Sequence, residues 1–526
     1  MNVQNIIAGE FVEVEGKTFQ AIDPSTEEKL PEIFTVANKI LVNEALAAAN
    51  SASIAFKNIG STQKAAFLRA IATEISTLGD ALVDRAVAES GLPKPRLLGE
   101  MGRTTSQLRL FADLVEEGSW IDATIDTALP ERTPLPRPDL RRMLVALGPV
   151  VVFGASNFPL AFSVAGGDTA SAFAAGCPVI VKVHPAHPGT SALVGKAICK
   201  ATKETGMPKG IFSMLYDDGF TVGEALVKHP QTKAVTFTGS FKGGMALLKM
   251  AQERPSPIPV FTEMGSINPV LFLPGILSAQ PEQLAAKYAA SITLGAGQFC
   301  TNPGLMLAIQ SPGLDQFTAE LARKIEAVPS ATMLTPGIWK NYEHSSQAVL
   351  TEENVELIAK SNLVNEACVN QSKATFIKVN GAAFLANHKL REEIFGPLSM
   401  LVVAEDLQQL EQIAASLDGQ LTVTVMAEKA ELANYTNLIN TLQNICGRLI
   451  LNNPPTGVEV CAAMQHGGPF PASSDSRFTS VGTAAIYRFV RPVAWQDWED
   501  SLLPPELQSA NPLKIWRNID NQWTKD

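Results

Sequence analysis

The 526-residue chain holds only six histidines and six cysteines, and no two cysteines form a C-x-x-C pair. Zinc sites legible in a sequence rest on closely spaced Cys and His ligands, so reduced thiols and no bound metal are expected. Charged residues make up only 18% of the chain, and Asp and Glu outnumber Lys and Arg by 52 to 42, for a formal net charge of −10. Phosphate backbones are bound by basic surfaces, which argues against a nucleic-acid partner and for a small-molecule substrate. No uncharged apolar run approaches the roughly 18 residues of a membrane span, so no membrane association is expected. The opening MNVQNIIAGEF lacks both a basic leader and an apolar stretch. A cytoplasmic protein without a signal peptide follows as an expectation.

At 46% hydrophobic, the chain exceeds what one core usually supports, and two or three domains are expected. Residues 8–25 read as short strands with turns. Phe67, Ile71, Ile75 and Leu78 then recur at helical spacing, and Gly91-Leu92-Pro93 supplies a stop. A further helix is predicted over 98–114, carrying Arg103 and Arg109. Residues 121–141, with Pro130, Pro134, Pro136 and Pro138, read as an irregular arm. From Arg142 onward, apolar runs at 150–153, 179–181, 211–215 and 234–237 alternate with helical segments, the pattern of β-α-β units around a parallel sheet. Ligands of such sheets bind at the carboxyl ends of the strands. The fourth run leads into Thr238-Gly239-Ser240-Phe241-Lys242-Gly243-Gly244, where a helix start could receive a phosphate. A second alternating region spans 264–465, and the tail from Ser480 holds a predicted strand at 486–490 and four of the six tryptophans.

Cys300 stands out within the second region. It follows Gly295-Ala296-Gly297, which lets the backbone approach a ligand closely, and precedes the turn signal Thr301-Asn302-Pro303-Gly304. A thiol is a strong nucleophile once its pKa falls from about 8.5, but the pentapeptide alone fits a buried structural cysteine equally well.

Six motifs in order then resemble the aldehyde dehydrogenase superfamily over nearly the whole chain. They are Asn157-Phe158-Pro159, Lys182, Phe237-Thr238-Gly239-Ser240, Glu263-Met264-Gly265-Ser266-Ile267-Asn268-Pro269, Gly297-Gln298-Phe299-Cys300 and Glu392-Glu393-Ile394-Phe395-Gly396-Pro397. The resemblance implies an α/β fold: a Rossmann-like nucleotide-binding domain (1–120 and 142–263), a second α/β catalytic domain (264–465) and a small β oligomerisation arm (121–141 and 480–500), followed by a C-terminal extension (501–526). It also implies a homodimer or homotetramer. Cys300 would attack the aldehyde, Asn157 and the Cys300 amide would stabilise the alkoxide, and Glu263, with a pKa moved toward neutrality, would activate the water that hydrolyses the thioester.

For the cofactor, the resemblance points to Lys182, Gly239, Ser240, Gly243, Glu393 and Phe395. NAD-preferring members carry a glutamate three residues after the lysine, where this chain has Pro185, so NADP is expected and NAD remains possible. The stretches 100–109, 466–472 and 478–483 look like the α-ketoglutaric semialdehyde (2,5-dioxopentanoate) dehydrogenase branch. Its neighbours oxidise longer fatty aldehydes with NADP, which stands as an alternative. Arg103 would bind a substrate carboxylate bidentately, and Val458, Val460 and His466 would line the same tunnel. A cofactor-independent cysteine hydrolase or acyltransferase is the rival class; it needs an imidazole, and no histidine lies in the motifs around Cys300 or Glu263.

Overall fold

The computed structural model describes residues 2–526. Its first seven-stranded sheet runs Val260–Glu263, Ala234–Thr238, Val150–Phe153, Val179–Lys182, Phe212–Leu215, Asn5–Ile7, Glu10–Val12. The first five pair in parallel and the last two are antiparallel. Their valine- and isoleucine-rich sequences are covered on both faces, as parallel strands require. In chain order the parallel strands run 5-4-1-2-3. The connections therefore reverse between Val150–Phe153 and Ala234–Thr238, the position at which open α/β sheets bind ligands.

Helices Ser61–Ser90 and Lys94–Glu117 pack on each other and on the helices Gly167–Ala175 and Pro188–Glu204, which cover one face of this sheet. Phe67, Ile71 and Ile75 are buried as their spacing predicts. Gly91 ends the first helix in the left-handed conformation, with φ of 66°, which a residue without Cβ adopts at no steric cost. The second helix starts at Lys94, a turn earlier than predicted, because Pro93 in extended conformation can open a helix at its N-cap.

The second seven-stranded sheet runs Glu356–Lys360, Thr375–Asn380, Leu398–Ala404, Leu305–Ile309, Val270–Phe272, Gln420–Met426, Cys446–Leu451; all its pairs are parallel except the first. A third, five-stranded sheet joins Val490–Gln496, Leu140–Ala146, Thr124–Asp126, Arg517–Ile519 and Gln522–Thr524.

Two expectations are corrected by the fold. Residues 121–141 are irregular only in their middle: Thr124–Asp126 and Leu140–Ala146 pair antiparallel at the two ends, and the prolines sit in the irregular stretch between them, which the Leu129–Arg137 bridge closes. The predicted strand at 486–490 is instead a 3₁₀ segment, Thr483–Phe489, followed by the strand Val490–Gln496. Ile486 and Phe489, three apart, both enter the first core, while Arg488 turns inward to pair with Asp168 at 2.8 Å. A strand would have set Ile486 and Phe489 on opposite faces. Among the described residues, no helix is long and apolar enough to cross a membrane.

Candidate active site

The site forms where the carboxyl ends of the first sheet's strands meet the amino ends of the second sheet's. Glu263 is the last residue of Val260–Glu263, and the chain passes directly through 264–269 into Val270–Phe272. Cys300 lies five residues before Leu305–Ile309. Asn157 follows Val150–Phe153.

The Cys300 loop is held from several sides. Gly295, Ala296 and Gly297 all have positive φ, and a Cβ on Gly297 would overlap the Gly396 carbonyl, so this backbone contact requires glycine. The Asn268 amide donates to the carbonyls of Cys300 (2.8 Å) and Asn302 (2.9 Å), while its oxygen accepts from Ser266 and Thr422. Buried Gln298 accepts from the Leu334 amide at 3.0 Å. The Asn157 side chain donates to the Gln298 carbonyl at 3.1 Å, which brings its NH₂ beside the loop that carries the sulfur.

Glu263 is buried and both of its oxygens are engaged. One meets His466 Nε2 at 3.0 Å, and the other accepts from the Ser480 hydroxyl at 2.6 Å. The same His466 nitrogen lies 3.5 Å from Cys300 Sγ. Burial by itself would raise the Glu263 carboxyl, but the His466 charge and hydrogen bond, with Ser480 and Cys300, outweigh it and hold it at about 2. The expected tuning toward neutrality is therefore corrected, because the imidazole and hydroxyl stabilise the anion more than burial destabilises it. Burial and the adjacent carboxylate push the Cys300 thiol well above the ordinary cysteine range, with Arg103 opposing them. The premise that no histidine serves this region is corrected too: His466 is 166 residues from Cys300 in sequence and touches it in space.

Arg103 lies over the rings of Phe158 and Phe162, with centroids 5.9 and 5.4 Å from its guanidinium carbon, and its Nε has no partner. Its charge is felt by Cys300, Glu100, Glu263 and Glu459. Arg109, on the same helix, is exposed. Val458 and Val460 pack against the cluster of Ala155, Ala161, Phe162 and Val481, so they form an apolar wall beside the rings that Arg103 covers. Sequence reasoning missed Arg96, which donates to the Asn157 carbonyl at 2.6 Å and lies 4.5 Å from the Phe299 ring centroid. It also missed the buried Glu100, which accepts from the Leu160 and Ala161 amides at 2.8 and 2.9 Å. Arg96, Glu100, Arg103 and Gln107 recur at four, three and four residues on one helix face, and that periodicity was the available signal.

Of the residues assigned to a cofactor, Gly239, Ser240 and Gly243 follow Ala234–Thr238 at the switch point, whereas Glu393 and Phe395 precede Leu398–Ala404 of the second sheet. Ser240 caps Phe241–Gln252 and accepts from the Gly243 amide at 3.2 Å, and the Gly239 amide donates to the Glu263 carbonyl at 3.0 Å. Those two amides are therefore already used. Gly239, Ser240, Phe241 and Lys242 are nonetheless exposed, leaving the positive end of a 12-residue helix open to an anion. Lys182 ends its strand as a buried amine; burial lowers its pKa while Asp217 and Asp218 counter it. His187 is committed to the fold through the Ala155 carbonyl at 2.8 Å. Glu393 and Phe395 line a crevice with Gly297, Phe299 and Asn302. Desolvation of the Glu393 carboxylate in that crevice raises it to about 7, although the residue as a whole is exposed. An open helix end at the switch point and a crevice leading from Glu393 to the Cys300 loop suit an extended dinucleotide.

Comparison with known proteins identifies the family. The aldehyde dehydrogenase family profile matches residues 11–474, and the chain belongs to that family. It is 50% identical over 518 residues to alpha-ketoglutaric semialdehyde dehydrogenase 2 of Azospirillum brasilense, covering 98% of each chain. It is 44% identical over 526 residues to alpha-ketoglutaric semialdehyde dehydrogenase of Acinetobacter baylyi, covering 100% of this chain and 99% of that one. Among solved structures, a betaine aldehyde dehydrogenase point mutant from Staphylococcus aureus in complex with NAD+ superposes with a TM-score of 0.81 at 19% identity, covering 94% and 95% of the two chains. That likeness shows the fold. The protein is thus an aldehyde dehydrogenase whose near-full-length relatives carry the α-ketoglutaric semialdehyde dehydrogenase name.

Proposed function

We propose that this enzyme oxidises α-ketoglutaric semialdehyde to 2-oxoglutarate with a nicotinamide dinucleotide, NADP in preference to NAD. The observation that carries the chemistry is the three-way contact of Cys300, His466 and Glu263 beside the Asn157 amide. Cys300 sulfur adds to the aldehyde carbon, and its proton passes to the His466–Glu263 pair. The resulting thiohemiacetal oxygen accepts hydrogen bonds from Asn157 Nδ2 and the Cys300 amide, each well-aimed donor contributing about 3 to 4 kcal/mol in comparable acyl transfers. When bound, the cofactor supplies the hydride acceptor. A thioester on Cys300 is left, and Glu263 accepts the proton of the water that hydrolyses it.

Glu263 held at about 2 is a weak resting base. Its basicity rises as its contacts with His466 and Ser480 loosen, and conversion of Cys300 to the acyl form removes the thiol from the same cluster. Arg103 faces the distal carboxylate of the substrate, while Val458 and Val460 wall the carbon chain. Pro185 at the position where NAD-preferring members carry a glutamate leaves no carboxylate there to repel a 2′-phosphate, which supports NADP. Initial rates over aldehydes with and without a distal carboxylate, each with NAD and NADP, test the reading. Equal kcat/KM for α-ketoglutaric semialdehyde and a neutral aldehyde of the same length would overturn the substrate assignment and leave the fatty aldehyde alternative. Equal kcat/KM with the two nucleotides would overturn the cofactor preference.

A further inference from the structure

The side chains that gather around the sulfur have a second chemical meaning. One thiol, one imidazole nitrogen and one carboxylate oxygen lie within 4.8 Å of one another, in a pocket where Glu263 and His466 are buried. Tetrahedral zinc with bonds of about 2.3 Å to sulfur and about 2.0–2.2 Å to nitrogen and oxygen sets an S···N edge of roughly 3.6 Å and an N···O edge of roughly 3.4 Å. The observed edges are 3.5 Å for Cys300 Sγ to His466 Nε2 and 3.0 Å for His466 Nε2 to Glu263 Oε1. An ion therefore fits with shifts of a few tenths of an ångström on those two edges.

We propose that Cys300, His466 and Glu263 form a three-ligand site for Zn2+, completed by water, whose occupancy reversibly blocks the nucleophile. A thiolate and an imidazole select a borderline-soft ion over Mg2+ or Ca2+, which favour all-oxygen sites. Binding forms Zn–S, Zn–N and Zn–O bonds as the Cys300 S–H and His466 Nε2–H bonds break; both protons leave to solvent and no electron is exchanged. Two features keep the site weaker than a closed structural one. His466 Nδ1 has no acceptor to orient and polarise the ring, and the Arg103 charge lies near the sulfur. Release by a chelator follows.

The test uses the full chain, stripped of metal with EDTA and then titrated with Zn2+ alone against a zinc indicator. Alkylation of Cys300 by iodoacetamide is followed in parallel by peptide mass spectrometry. The expected result is one Zn2+ per chain, alkylation of Cys300 slowed at least about tenfold and restored by EDTA, and no protection by Mg2+. His466→Phe and Glu263→Gln should each weaken Zn2+ binding at least about tenfold. Undiminished alkylation of Cys300 at saturating Zn2+ would overturn the proposal, as would wild-type affinity in His466→Phe. Because the alkylation arm uses the wild-type chain, it decides the matter even where a variant does not fold. None of these readouts depends on aldehyde oxidation, so loss of the zinc site would leave the proposed reaction standing, and the reverse holds as well.

Discussion

In the proposed function, Arg103 is the residue that selects what reaches the sulfur. An arginine half-buried over two phenylalanine rings, with an unpartnered Nε, retains donors for a planar oxyanion. Arg103→Leu should raise KM for α-ketoglutaric semialdehyde at least tenfold, roughly the worth of one charge-assisted contact, and raise KM for a neutral aldehyde of similar length far less. Comparable effects on both would remove the carboxylate contact from the account. The same arginine works against the high pKa of Cys300, so alkylation of wild-type Cys300 should still be accelerating above pH 9, and Arg103→Leu should move the profile to higher pH. Glu263 gives a stability effect of opposite sense. Its folded-state value of about 2 lies below the ordinary 4.5, so the pairing stabilises the fold above about pH 4.5 and is lost as pH falls toward 2. Circular dichroism during acid unfolding should show Glu263→Gln lacking that part of the pH dependence.

At the scale of elements, the Cys300 loop depends on glycine where backbone meets backbone. Gly297→Ala places a methyl against the Gly396 carbonyl at a positive φ, and a loss of about 1–3 kcal/mol is expected, read as a lowered thermal midpoint together with reduced kcat. The short parallel strands were legible because each holds an apolar run that leads into a loop with glycine, serine, asparagine or proline, as 150–153 does at Gly154 and 179–181 does before Pro185. Thr483–Phe489 was not, since an apolar run containing one buried arginine looks the same whether its period is two or three. Asp168 and the Ser171 hydroxyl, both more than three hundred residues earlier, hold Arg488 inward. At 121–141 the irregular middle was legible and the strands at its ends were not, because prolines forbid ladder bonds where they stand but say nothing of the residues on either side.

Across the molecule, the five-stranded sheet shows how distant segments complete one another. Arg517–Ile519 pairs with Thr124–Asp126, so the last residues of the chain are built into the arm and do not form a separate extension. Trp498, Trp516 and Trp523 remain exposed around it, and such aromatics suit a subunit interface. A homodimer or homotetramer is expected in sedimentation velocity, and Trp516→Ser with Trp523→Ser should shift it toward smaller species; an unchanged distribution would move the interface elsewhere. The site was legible as ordered motifs, and Cys300, Glu263 and Asn157 do converge, as does His466. The direct contact of His466 with both Cys300 and Glu263 was not legible, because separations of 166 and 203 residues carry no spacing signal.

The six residues 264–269 join the two large sheets through the reacting centre itself. They leave Glu263 at the end of one sheet and include Asn268, which holds the Cys300 carbonyl at the start of the next. A slackening there would part the proposed base from the proposed nucleophile while both cores stay folded. On gradual heating, turnover should fail at a lower temperature than the loss of secondary structure, and the enzyme's own activity becomes the earliest thermometer of how firmly its two halves are joined.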